Sequence, residues 1–233
     1  MYRLSMQRNP NKGRITMKIP VKTSPKIDPI PQDSHHAICY GVLDLGSHYK
    51  EGQWAGVKHE VLILFELPNQ RIEIEKDGEK VNLPRAQSQT YTYSMSDRAN
   101  LRKDLQTWRG KNFTDLEAAD FDLKGLLGSN CILHVLHRTS KSTGNIYASI
   151  ESITKLMPGM DKKTPENPTV YFSFDNGIDS IPETAPPWVI EKIKSSDEYS
   201  YIMDARSGAD GTLEPSENGE DESLGDENAD VPF

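Results

Sequence analysis

Alternation of apolar and polar positions dominates the middle of the chain. In residues 57–67, Val57, His59, Val61, Ile63, Phe65 and Leu67 fall on one face of an extended backbone. Lys58, Glu60 and Glu66 fall on the other, with Leu62 and Leu64 between them. A period of two predicts a strand with one face turned to a core. Residues 37–45 and 86–95 repeat the pattern more weakly. Residues 71–76 and 79–83 flank Asp77-Gly78, a dipeptide suited to a two-residue hairpin turn. Two further strands are predicted at 130–139 and 145–156, joined by a Ser/Lys/Thr/Gly loop.

The period changes after Ser96. Ala99, Leu101, Leu105 and Trp108 recur at helical spacing over residues 97–108. Ser96 suits the N-cap, Asp97 the first turn and Gly110 the stop. Residues 114–127 predict a short helical or turn region. A second short helix is expected at 188–194, with Val189, Ile190 and Ile193 on one side. Strands one to three, a helix and two more strands is the element order of an OB-fold, in which a helix sits between strands three and four. A small sandwich or an SH3-like barrel also suits five short strands, but the helix placement favours the OB-fold. The expected fold is therefore mainly β: a five-stranded OB-fold barrel with a helix between strands three and four, an inserted hairpin and disordered termini. Residues 1–34 are expected to be a basic flexible arm and 35–160 the barrel. Residues 161–200 are expected to be an extended segment whose short helix packs on the barrel, and 201–233 a disordered acidic tail.

Composition fits a folded core diluted by its ends: 35% of residues are hydrophobic and the mean hydropathy is -0.65. No apolar run approaches the roughly 18–20 residues needed to cross a bilayer, and the basic start lacks the apolar stretch of a secretory signal. A cytoplasmic protein is expected. The net charge of -8 is unevenly placed. Residues 207–233 hold nine acids and no Lys or Arg, leaving 26 acids against 27 basic residues elsewhere. The first 27 residues hold seven basic residues and no acid, which reads as either a phosphate-binding arm or a solvated terminus. Lys12-Gly13-Arg14 is compatible with a purine-rich coding run shortly before Met17, so natural translation is expected to start at either Met1 or Met17. Cys39 and Cys131 lie far apart without metal-ligand spacing, and the six histidines form no HExxH pattern. Both thiols are expected to be buried and free, with no metal and no cofactor.

No phosphate-binding glycine loop, dinucleotide fingerprint or nucleophile elbow occurs. A non-enzymatic protein is expected. Gln87, Gln89, Tyr91 and Tyr93 alternate onto one face of the third strand, where tyrosines can stack bases or pair across strands within a core. The loop expected at 46–56 holds Tyr49, Lys50 and Trp54, with Lys58 just beyond; Arg138 and Lys141 lie around the turn after the fourth strand. In an OB-fold those two loops flank the binding face. Aromatic and basic residues interleaved there fit a groove that tracks a phosphate backbone. Arg85 is a weaker candidate at the start of the third strand. Arg98, Arg102 and Lys103 read as the solvated face of the helix, whereas Arg109 and Lys111 at its exit would extend the groove.

Residues 226–233, Asp-Glu-Asn-Ala-Asp-Val-Pro-Phe, combine acids with an aliphatic residue, Pro and Phe. An aromatic anchor beside acids fits a partner pocket with an apolar floor and a basic rim, which makes Asp230, Val231, Pro232 and Phe233 the candidate partner-binding residues. The segment resembles the acidic tip of bacterial and phage single-stranded DNA-binding proteins. The core carries a looser resemblance to phage and prophage replication-associated proteins, in Ser96 with 98–105, Trp108-Arg109-Gly110, Phe113-Thr114, residues 39–42 and 44–46, 121–123 and 126–128. These resemblances imply a protein that coats single-stranded DNA with little sequence preference during phage replication or recombination. They also imply recruitment of replication or recombination proteins through the tip. The inserted hairpin departs from the bacterial pattern and leaves a homo-oligomer open. The alternative is an OB-fold interaction adaptor of the replication machinery that does not bind DNA.

Overall fold

A computed structural model describes residues 27–53, 55–76 and 78–209. Within them the strands are β1 (Asp33–Lys50), β2 (Gly56–Lys76), β3 (Glu79–Thr92), β4 (Asn130–Thr139), β5 (Ile146–Lys155) and β6 (Val170–Phe172). The α-helices are α1 (Asn100–Arg109), α2 (Asp115–Ala119), α3 (Pro187–Lys194) and α4 (Asp197–Ala209). Five strands pair antiparallel in the order β3-β2-β1-β4-β5, and β6 adds in parallel to β1 at Gly41, Val42 and Leu43. The protein is mainly β with a helix after the third strand, as its periodicity predicts. The sheet is not closed, however: no ladder joins its edge strands β3 and β5. Across that seam the Gln87 side-chain amide donates to the Ala148 carbonyl at 3.0 Å.

The expected inserted hairpin is instead the far end of one long ribbon. β2 runs unbroken for 21 residues, and β3 pairs with it along most of its length. Leu67 faces Arg85 and Arg71 faces Pro84, so residues 68–70 form a bulge in the β2 strand. A bulge accommodates Pro68, which has no N–H to give, without ending the ladder. Of the Asp77-Gly78 turn, Asp77 lies outside the described residues. β1 likewise continues to Lys50, so Tyr49 and Lys50 are strand rather than loop residues.

The middle stretches of β1, residues 35–46, and of β2, residues 60–67, are covered on both faces. On the inner face Val61, Ile63, Phe65 and Leu67 pack with Leu101, Leu105 and Trp108 of α1. The Trp108 ring lies 5.5 Å from that of Phe65, and its indole N–H donates to the Asn130 carbonyl at 3.0 Å. On the outer face Leu43, Leu45, Leu62 and Leu64 meet Val170 and Phe172 of β6 and Val189 and Ile193 of α3. Each such side chain stabilises the fold by about 1.5–3 kcal/mol when fully buried. This second layer explains why Leu62 and Leu64 interrupt the polar face. It also encloses Glu66, which is fully buried. The Glu66 carboxylate accepts from the backbone N–H groups of Glu166 at 3.0 Å and Asn167 at 2.7 Å, tying the β5–β6 connection to β2.

Two helix boundaries differ from expectation. α1 starts at Asn100 with Ala99 in the N-cap position and no side-chain cap; residues 96–99 form a turn closed by the Ala99 N–H to the Ser96 carbonyl. Arg102 is buried rather than solvated, donating to the carbonyls of Met95 and Phe113 and pairing with Asp97 and Asp115. The chain is also helical through Ala209, nine residues into the segment expected to be tail. The Glu198 carboxylate anchors α4 by accepting from both the N–H and the hydroxyl of Ser47 at 2.6 Å. Gly46, at φ +74°, is required here, because a Cβ would lie 2.5 Å from that of Ser196. Residues 30–34, expected within the flexible arm, belong to the folded body. Ile30 is buried, His137 donates to its carbonyl at 2.8 Å, and β1 begins at Asp33. Residues 1–26 and 210–233, including Asp230, Val231, Pro232 and Phe233, lie outside the described residues.

Candidate nucleic-acid interface

Both cysteines are buried and free, and burial pushes the Cys39 thiol up to about 12. The chemistry of the surface therefore rests on charged and aromatic side chains.

A polar cleft of about 740 Å³ opens at the seam between β3 and β5. The last residues of β3 form one wall, the N-terminal turn of α1 another, and Arg138 and Glu151 of β4 and β5 the third. Arg98 and Lys103 reach it from either side of the α1 start. Neither lies within ion-pair distance of a carboxylate among the described residues. The α1 N-terminus contributes backbone N–H groups with no capping side chain and no acid in its first turn, and such an end attracts anions. Two exposed cations beside open amide donors offer contacts to phosphate oxygens, and Glu60, Asp104 and Glu151 line the same cleft, so those contacts are confined to the α1 side of it.

Tyr91 borders this cleft but does not present its ring for stacking. It is 4% exposed and opposite Val61 on the inner face, and its hydroxyl donates to Asp104 at 2.8 Å. The alternation that placed Gln87, Gln89 and Tyr91 on one face is correct, but that face is the core side of β3. Burial raises the Asp104 carboxyl above its ordinary range, against the opposing pull of the Tyr91 hydroxyl and Lys103. Tyr93 is half exposed beyond the end of β3, its ring 5.2 Å from that of His59.

The other expected groove residues do not converge on one surface. Tyr49 is 66% exposed at the end of β1, opposite Val57, and Lys58 pairs with His48 on the adjoining rung. Trp54 lies outside the described residues. Lys50 is ion-paired with Glu60 at 2.9 Å, and Lys192 of α3 reaches the same carboxylate at 2.7 Å. Burial works to raise Glu60, but the hydrogen bonds from Lys192 and Lys50 outweigh it and hold the carboxyl below its ordinary value. Arg85 donates to the Asp28 carbonyl at 2.7 Å and so ties down the incoming chain. Arg109 and Lys111 both contact Glu117 at 3.1 Å, and Arg109 also covers the Phe113 ring. The Thr114 backbone N–H, Lys111 and Arg109 together bring Glu117 down to about 2. Arg138 pairs with Glu151 at 2.5 Å, and Lys141 is exposed in the β4–β5 loop.

The clustered cations are thus Arg98 and Lys103, which the helical pattern assigns to a solvated face. The sequence carried no signal for this, because Ser96 reads there as a capping residue, whereas α1 starts at Asn100 without a side-chain cap. Comparison with protein-family models, curated proteins and solved structures found no match.

Proposed function

We propose that the chain is a non-enzymatic single-stranded DNA-binding protein on an OB-type scaffold. In this reading it coats single strands with little sequence preference during phage replication or recombination, and the acidic 226–233 segment recruits replication or recombination proteins. The strand order β3-β2-β1-β4-β5, with α1 after β3, matches an OB barrel opened between its third and fifth strands. The polar cleft at that seam carries the reading, because Arg98, Lys103 and the open α1 N-terminus face it together. Phosphates rather than base edges would be the main contacts, so affinity would fall steeply with salt.

A specific observation favours the adaptor reading. The outer face of β1 and β2 is covered by the chain's own β6 and α3, and Lys50, Arg109, Lys111 and Arg138 each face a carboxylate. Titration of fluorescent poly-dT with the intact chain, and with a version ending at Ala209, separates the two readings. Salt-sensitive binding by both is the expected result. No binding by either at low salt would replace DNA coating with the adaptor function.

A further inference from the structure

The polar cleft is the first of three concavities that succeed one another around α1. A second, of about 510 Å³, shares Lys103 with the cleft and runs past Gln106 and Thr107 to Gly110 and Lys111. A third, of about 700 Å³, lies at the far end of the helix, floored by Leu105, Trp108, Phe121 and Leu127. The second and third meet at Gly110, which the Lys155 side chain crosses: a Cβ on that glycine would stand 3.2 Å from it. Charge changes along this path. Glu60, Asp104 and Glu151 line the first concavity, whereas no Asp or Glu lines the second or the third. Arg98, Lys103, Lys155 and Lys162 are exposed along it, within ion-pair distance of no carboxylate among the described residues. Arg109 and Lys111 border the path but share the single carboxylate of Glu117. A polyanion in the cleft is therefore repelled on the sheet side and drawn along α1.

The end of the path differs in kind from its start. Met157 and Met160, both exposed although apolar, stand at the mouth of the third concavity. A thioether packs favourably against an aromatic ring, and the flexible side chain adapts to its shape. We propose that a single strand of nucleic acid follows α1 from the seam to this concavity, with phosphates on Arg98, Lys103, Lys155 and Lys162 and a base received against Met157 and Met160. This route rests on the DNA-binding reading of the cleft. It adds to that reading a direction, around the helix rather than across the sheet, and a base-receiving subsite at its end. A strand carries one charge and one planar ring in every unit, which suits separated cations that lead to an apolar pocket. The subsite would hold a base by its face and leave its edge unread. Asn130, the one amide side chain that lines it, already donates to the Gly128 and Lys163 carbonyls and accepts from His36 and the Lys163 N–H. Little sequence preference follows, because base edges carry the sequence information.

The test uses full-length chains with unchanged circular dichroism, fluorescent poly-dT, and an abasic deoxyribose-phosphate strand of equal length. Lys155→Ala with Lys162→Ala is expected to reduce the slope of log K against log salt by about 1.4. Lys80→Ala with Lys194→Ala, exposed positions that line none of the three concavities, is expected to leave it unchanged. Met157→Ala with Met160→Ala is expected to weaken poly-dT binding about five-fold and to spare the abasic strand. If the natural chain fails to bind poly-dT at low salt, the DNA-binding reading falls and the route falls with it. If it binds, and Arg98→Ala with Lys103→Ala lowers the slope while the Lys155 and Lys162 pair does not, the cleft stands and the route is overturned. A methionine variant that binds poly-dT unchanged, or loses both strands equally, would overturn the base subsite. Displacement of poly-dT by polyglutamate as readily as by unlabelled poly-dT would assign the path to an acidic protein segment instead.

Discussion

Tyr91 shows how one position on an alternating strand acquires a different role from the one its chemistry invites. Its cross-strand partner is Val61, so its ring belongs to the core, and only its hydroxyl reaches polar surroundings, at Asp104. Asp104 carries a carboxyl raised above its ordinary range, chiefly by burial. Its charged form is therefore disfavoured in the folded protein, and its contribution to stability falls as pH rises through the raised value. Tyr91→Phe leaves that half-buried carboxylate without its donor. A loss of about 1–2 kcal/mol in urea unfolding at neutral pH is expected. Asp104→Asn keeps an acceptor for the hydroxyl while removing the charge, and its stability at neutral pH is expected to equal or exceed that of the natural chain. Equal stability of Tyr91→Phe and the parent would show that the pair contributes nothing. The alternation of Gln87, Gln89, Tyr91 and Tyr93 was legible in the sequence; which side of β3 faced inward was not. That choice follows from the β2 partner, not from β3's own pattern.

α4 is held to the sheet by a small polar cluster rather than by a strong apolar stripe. Glu198 accepts from Ser47 and lies 3.6 Å from His59, whose other ring nitrogen is 2.5 Å from Asp44. The Asp44 hydrogen bond raises the His59 pKa above its ordinary 6.5, with burial opposing and Asp44 and Glu198 charges assisting. Burial works to raise Glu198, but hydrogen bonds from Ser47 hold it below 4.5. The histidine contribution is present below pH 6.5 and is lost as pH climbs through its raised value. The Glu198 contribution is present above pH 4.5 and is lost as pH falls through its lowered value. Hydrogen exchange, corrected for intrinsic pH dependence, is therefore expected to protect α4 most between about pH 4.5 and 6.5 and progressively less above it. His59→Gln should flatten the upper limb; an unchanged profile would remove His59 from the docking. Residues 197–209 gave little sequence signal for this helix, because their apolar content is low and their anchors, Ser47 and His59, lie far away in the chain.

For the molecule as a whole, the balance of charge matters more than its total. Several cations that the sequence offers to a phosphate backbone are paired with Glu60, Glu117 or Glu151, leaving Arg98 and Lys103 at the polar cleft. If the proposed DNA binding resides there, Arg98→Ala with Lys103→Ala should lower poly-dT affinity and reduce the slope of log K against log salt by about 1.4, since each phosphate contact on a single strand contributes about 0.7. Lys50→Ala, whose partner Glu60 retains Lys192, should leave that slope unchanged. A slope indifferent to the double substitution would move the binding surface elsewhere.

The order of the elements, the helix between β3 and β4 and the apolar spacing of Leu101, Leu105 and Trp108 were encoded locally. Periods of two and of 3.6 report which side of an element meets a core, whatever the rest of the chain does. The outer layer was not encoded in that way. Glu66 meets Asn167 across 101 residues, and Leu62 and Leu64 meet a strand and a helix more than a hundred residues downstream. Local patterning records that a residue will be buried; only the assembled chain supplies the donors for the buried Glu66 carboxylate, the acids beside Lys50, Arg109, Lys111 and Arg138, and the open seam that Arg98 and Lys103 face.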